Sequence, residues 1–131
     1  MEENFKLDII SPEKIIFSGD VKIASLPSYE GDMGILKNHI SIITFLRPGI
    51  IKIETNKGNT EEFFVEDGTV EFFNNILVIL SSSVISVKDL SKDFVEKLNK
   101  DTSDKLSQKD ITDHDRYILN HKLDVIKQLA I

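Results

Sequence analysis

All six glycines and all three prolines fall between Pro12 and Gly68, and residues 89–131 contain neither. Glycine and proline punctuate turns and strand ends, so the chain must fold in two grammars. Residues 5–88 read as strands and turns. Phe5, Leu7 and Ile9 alternate with Lys6 and Asp8, the period of a half-buried strand, and Pro12 stops that run. Val21 and Ile23 alternate with polar or small neighbours between Gly19 and Pro27. Two β-branched runs, Ile40 to Leu46 and Ile50 to Glu54, flank the turn signature Arg47-Pro48-Gly49. Asn56-Lys57-Gly58-Asn59 predicts a hairpin loop, Asp67-Gly68 predicts another, and Asn74-Asn75 leads into the run Ile76 to Leu80. Strands this short and this regularly punctuated imply a sandwich or barrel. The near-continuous run Ile76 to Leu80 predicts a central strand covered on both faces. Gly31 and Gly34 are expected to supply positive φ in a tight loop.

After residue 88 the period changes. Ser91 is placed to cap a helix carrying Phe94, Val95 and Leu98 on one face. The pattern then decays over Asn99 to Asp104, a stretch able to act as a hinge. Thr112, with Asp115 three residues later, has the form of a capping box. Leu119, Leu123, Ile126 and Ala130 follow on one face. The expected architecture is α+β: an N-terminal antiparallel β-sandwich, residues 1–88, followed by a C-terminal antiparallel two-helix hairpin, residues 89–131.

Charge and composition narrow the function classes. A net charge of −6 over 131 residues, with lysines scattered among acids, disfavours a nucleic-acid partner. No cysteine is present, so disulfides and thiolate metal sites are impossible. The opening Met1-Glu2-Glu3-Asn4 is the wrong chemistry for a signal or transit peptide, and no apolar run is long enough for a spanning helix.

Candidate chemistry is thin. Asp32, His39 and Ser41 could be written as a triad, but nothing supplies a nucleophile elbow or an oxyanion hole. His114 and His121 are seven apart, not the four of helical zinc pairs, so no metal is expected. Gly31-Asp32-Met33-Gly34 matches a G-x-x-G clamp in form only, since its aspartate would repel phosphate. No Walker-type loop occurs. The charges of residues 112–130 balance, Arg116, Lys122 and Lys127 against Asp113, Asp115 and Asp124, which disfavours a membrane-surface helix. The residues alone describe an interaction protein without an enzyme site or cofactor.

Four separated pieces then agree in order and distance with a known family. Leu7-Asp8-Ile9-Ile10-Ser11-Pro12, Phe17-Ser18-Gly19, Glu30-Gly31-Asp32-Met33-Gly34-Ile35 with His39 beyond it, and Leu46-Arg47-Pro48-Gly49 resemble the epsilon subunit of the bacterial rotary ATP synthase. The resemblance implies a non-catalytic central-stalk subunit on the cytoplasmic face of the plasma membrane. Its sandwich would grip the gamma shaft and rest on the ring of c subunits, and its helices would reach toward the catalytic head. Glu30, Gly31, Asp32, Met33, Gly34 and His39 would lie toward the c-ring and gamma contacts. The chain departs from the family at Lys37-Asn38-His39-Ile40-Ser41, where P-G-H-A-P is usual, and at Glu66-Asp67-Gly68, where S-G-G is usual. It departs again at Leu90 to Val95, which lacks the Asp and Arg of nucleotide-binding members. ATP is therefore expected to bind poorly or not at all, and the hairpin to be at most a weak regulator of hydrolysis. The competing reading is a free-standing ligand-binding β-sandwich, such as a carbohydrate module. It lacks tryptophan and has only Tyr29 as a tyrosine in the β half.

Overall fold

The computed structural model describes residues 3–129, so Met1 and Glu2 at the acidic start, and Ala130 on the expected helical stripe, lie outside it. The described residues divide into two compact units, the chain passing from one to the other between Ser86 and Val87.

The first unit is built from β1 (Phe5–Ile10), β2 (Ile15–Ser28), β3 (Gly31–Leu36), β4 (Ile42–Leu46), β5 (Gly49–Thr55), β6 (Thr60–Val65), β7 (Gly68–Phe73), β8 (Ile76–Leu80) and β9 (Ile85–Ser86). Neighbours run β4-β7-β8-β1 and then the first half of β2 in one layer, and β3, the second half of β2, β5, β6 and β9 in the other. Every pairing is antiparallel except β1 with β8, which is parallel. Strand alternation directs Leu7, Ile9, Leu77 and Ile79 of one layer and Leu26, Ile35, Ile51 and Ile53 of the other into a single core. Phe17 of the first layer meets Phe63 of the second edge to face, with ring centroids 6.2 Å apart.

Several expectations change. The Val21–Ile23 segment is part of a strand of 14 residues that passes through both Gly19 and Pro27. A register shift between Val21 and Ile23 lets it turn from one layer into the other. Asp67-Gly68 is not a hairpin: β6 pairs with β5 and β9, while β7 pairs with β4 and β8, so the dipeptide carries the chain between layers. Residues 31–34 are strand β3, not loop, and positive φ occurs at Gly31 (121°) but not at Gly34. The β2–β3 turn is held from below by Ser28, whose fully buried hydroxyl donates to the Gly31 carbonyl at 2.6 Å and accepts from the Glu30 N–H at 3.3 Å.

The second unit begins with a short 3-10 turn and continues as α1 (Lys92–Leu106) and α2 (Asp113–Gln128). Ser91 and Thr112 cap them, accepting from the N–H groups of Phe94 and Asp115, each at 3.0 Å. The two helices pack together through a connection too short for any but a hairpin arrangement. The polar stretch Asn99 to Asp104 is continuous helix, not a break. Thr102 is buried there and returns its hydroxyl to the Leu98 carbonyl at 2.7 Å.

The glycines of the sandwich divide by what surrounds them. A Cβ on Gly49 would lie 2.4 Å from Cβ of Pro27, whereas one on Gly34 would meet nothing within 4 Å. Gly49→Ala is therefore expected to lower stability by about 1–3 kcal/mol in urea unfolding, and Gly34→Ala to leave it within about 0.5 kcal/mol. Ser28→Ala removes the buried hydroxyl and its two bonds to the turn and should cost about 0.5–1.5 kcal/mol. Equal midpoints for Gly49→Ala and Gly34→Ala would contradict the close approach at Pro27.

Candidate partner-binding face

The residues singled out from the sequence do not form one cluster. Glu30 and Gly31 sit at the turn that opens β3, and His39 follows the strand's far end. At roughly 3.3 Å per residue the strand places its two ends roughly 17 Å apart. Between them the side chains alternate: Asp32 and Gly34 face outward, while Met33 packs against the core.

At the first end, Tyr29 N–H donates to the Phe45 carbonyl at 3.2 Å and Arg47 N–H to the Pro27 carbonyl at 2.9 Å. The guanidinium of Arg47 lies 4.0 Å from the exposed carboxylate of Asp32. At that distance and exposure the pair contributes little stability, but it sets a mixed-charge rim beside the turn. At the other end, His39 is half-buried. Its ring stands edge-on to Phe72 with centroids 5.8 Å apart, and Nδ1 lies 2.7 Å from the Ile40 carbonyl. A carbonyl can only accept, so Nδ1 carries the proton. His39 thus closes the end of the core, and its Nδ1 faces a backbone carbonyl, not the carboxylate a triad would require.

The sequence reading missed the larger feature. Ile76 to Leu80 was expected to be covered on both faces, but only Leu77 and Ile79 are buried. The outward side of the first layer carries five large apolar side chains that are exposed, Ile43 74%, Phe45 59%, Phe73 63%, Ile76 44% and Leu80 50%, with Glu71 and, on β1, Lys6 and Asp8 among them. Register makes these neighbours. Phe45 is opposite Thr69, Thr69 opposite Leu80 and Leu80 opposite Ile10; Phe73 is opposite Ile76. Glu71 and Val78 form the row between them. At the margin a shallow open groove of about 490 Å³ is lined by Tyr29, Phe45, Thr69 and Leu80. The outer side of the other layer differs, carrying the cross-strand pair Lys52–Glu62 at 4.0 Å. The sequence signal for the apolar face was present in runs whose two alternating sets are both apolar. Contiguous exposed apolar groups of this kind mark a surface that buries against another molecule.

Comparison with known proteins places the sandwich in a family. The family described as ATP synthase, delta/epsilon chain, beta-sandwich domain matches residues 4–87. The ATP synthase epsilon chain of Pelagibacter ubique is 47% identical over 130 residues, covering 98% of this chain and 99% of the relative. That of Parvibaculum lavamentivorans is 33% identical, covering 98% and 97%. Among solved structures, a chain of the Euglena gracilis mitochondrial ATP synthase superposes with a TM-score of 0.76 at 18% identity, covering 98% of this chain and 80% of that one. A chain of the Tetrahymena thermophila mitochondrial ATP synthase central stalk and c-ring gives 0.70 at 18% identity, covering 96% of both. At that identity the structures speak to the fold. The family match and the near full-length relatives carry the assignment: this chain belongs to the ATP synthase epsilon-chain family.

Proposed function

We propose that this chain is a non-catalytic central-stalk subunit of a bacterial ATP synthase, coupling rotation of the c-ring and gamma shaft to synthesis in the catalytic head. The observation that carries the reading is the exposed apolar outer face of the first layer, around Phe45, Phe73 and Leu80. Gamma is the partner assigned to that face. The turn at Tyr29–Glu30, with Gly31, Asp32, Met33 and Gly34 beyond it, is directed at the c-ring, whose contacts would be polar. His39 acts from beneath, holding the opposite rim against Phe72. The epsilon-chain names of the relatives support the assignment. The proposed site of action is the cytoplasmic face of the plasma membrane, within the complex. Among the described residues no helix is long and apolar enough to cross a membrane. A carbohydrate module is less suited to this surface, because aliphatic Ile43, Ile76 and Leu80 surround the exposed rings.

The helical unit, taken as residues 89–131, is assigned at most weak control of hydrolysis. Docking on acidic segments of the catalytic head would need a positive face. On α2 the cations Arg116 and Lys127 are outnumbered by Asp113, Asp115 and Asp124, and Lys122 is buried. Removing residues 89–131 should raise the ATPase rate of the assembled head by less than about twofold, or roughly 0.4 kcal/mol in barrier. A tenfold rise, on the order of 1.4 kcal/mol, would refute the assignment.

The docking face has its own test. Phe45→Ser with Leu80→Ser should leave the melting of the isolated chain nearly unchanged, since both side chains already meet water. Co-elution with purified gamma should be lost, with affinity falling by at least about a hundredfold, as expected for two central apolar anchors. Unaltered binding by the double variant would remove this face from the interface.

A further inference from the structure

Two loops are joined at the end of the first layer where β4 begins. Asn38 occupies the left-handed region at φ 68°, as do Asn74 and Asn75 at 52° and 62°. The Asn38 N–H donates to Oδ1 of Asn75 at 2.7 Å, and Nδ2 of Asn75 donates to Oδ1 of Asn38 at 3.1 Å. The Asn75 carbonyl in turn accepts from the Lys6 N–H at 3.1 Å. One amide residue therefore ties the loop of residues 37–41, the β7–β8 turn and strand β1 together. A carboxamide suits the task, because it donates and accepts at once and asparagine tolerates left-handed backbone.

The loop so tied contains neither glycine nor proline and carries Ile40, which at 77% is the most exposed large apolar side chain among the described residues. Ile40 follows His39, whose N–H reaches the Leu36 carbonyl at 3.1 Å, and it precedes β4 by two residues. That puts it at the same end of the layer as Phe73 and Ile76, which flank the turn carrying Asn74 and Asn75. An apolar residue on an untethered loop would have to be ordered on docking, at about 1–2 kcal/mol for each residue fixed.

We propose that Asn38 and Asn75 are a positioning pair, holding Ile40 beside Phe73 and Ile76 so that the apolar face meets gamma already assembled. The inference rests on the reading that this face seats against gamma, and extends it to the residues that shape its rim.

The test uses the full-length chain with purified gamma. Asn75→Gly keeps the left-handed backbone but removes both side-chain bonds, and Asn75→Asp retains the acceptor for the Asn38 N–H. In Asn75→Gly, the Asn38 amide should exchange with deuterium at least about tenfold faster, and gamma affinity should fall about tenfold, mainly through slower association. Ile40→Ser should weaken binding to a similar degree. The double variant Asn75→Gly, Ile40→Ser should be no more than about twofold weaker than the worse single variant, because both changes remove one interaction. Asn75→Asp should recover most of the loss. Wild-type affinity in Asn75→Gly would overturn the proposal. Losses that multiply to about a hundredfold in the double variant would also overturn it, since independent residues behave that way. Failure of the unsubstituted chain to bind gamma would bring down the parent reading and this one with it. That outcome is told apart because it appears before any substitution is made.

Discussion

Strand β2 is shared by both layers of the sandwich, and the remaining strands take their places from it. Its first half pairs with β1, its second half pairs with β3 on one side and β5 on the other, and Ser28 at its end meets Leu46 of β4. A continuous covalent strand across the fold fixes the spacing of the two layers without a loop to flex. The shift between Val21 and Ile23 makes this possible, since a flat strand could not leave one sheet for the other. Val21, Ala24 and Leu26, all buried, carry the core around that bend. The close contact of Gly49 with Pro27 belongs to the same constraint, because β5 begins where the end of β2 crowds it.

With the layers fixed, their outer faces are free to differ, and they do. The β5–β6 side carries opposed charges, the economical solution for strands facing water. The β4-β7-β8 side carries Ile43, Phe45, Phe73, Ile76 and Leu80. Each is already part-covered, so burying the rest would supply about half of the roughly 1.5–3 kcal/mol that full burial of such a side chain is worth. Five on one face give a single partner much to bury. Gamma, on the proposed reading, supplies the missing cover. On that reading the fold positions its site by parity alone: the residues that alternate with the core are those proposed to dock.

What was legible in the sequence was local. Alternation in β1, the loop at Asn56–Asn59, the caps at Ser91 and Thr112, and the change of period after residue 88 depend on neighbours within a few positions, and each appears as expected. What misled was local chemistry serving a distant purpose. Asp67-Gly68 has the composition of a hairpin, yet Gly68 is there because a Cβ would come within 2.9 Å of the Leu80 carbonyl. Gly34 looks like a loop residue but lies in a strand, on a face where nothing approaches it. Asn99 to Asp104 has no apolar stripe of its own, yet without glycine or proline the helix simply continues through it. The run Ile76 to Leu80 announced cover on both faces, and no sequence pattern distinguishes a cover made by the same chain from one supplied by another. The resemblance points to Glu30 to Gly34 and His39, and the register of β3 puts them toward opposite ends of one strand.

The same register explains how a non-catalytic subunit can serve a rotating machine, on the function proposed here. A subunit held at one end of its sandwich and loaded elsewhere on it is only as stiff as the loops that bear the load. Here the turn at Tyr29–Glu30 is anchored by the buried Ser28 hydroxyl and the Phe45 carbonyl. The loop around His39 is anchored by the Phe72 ring and the paired amides of Asn38 and Asn75. Between the two runs β3, bonded along its full length to the strand that belongs to both layers. Force entering at one end has no slack segment to take up before it reaches the other. Function then follows from where hydrogen bonds fix backbone.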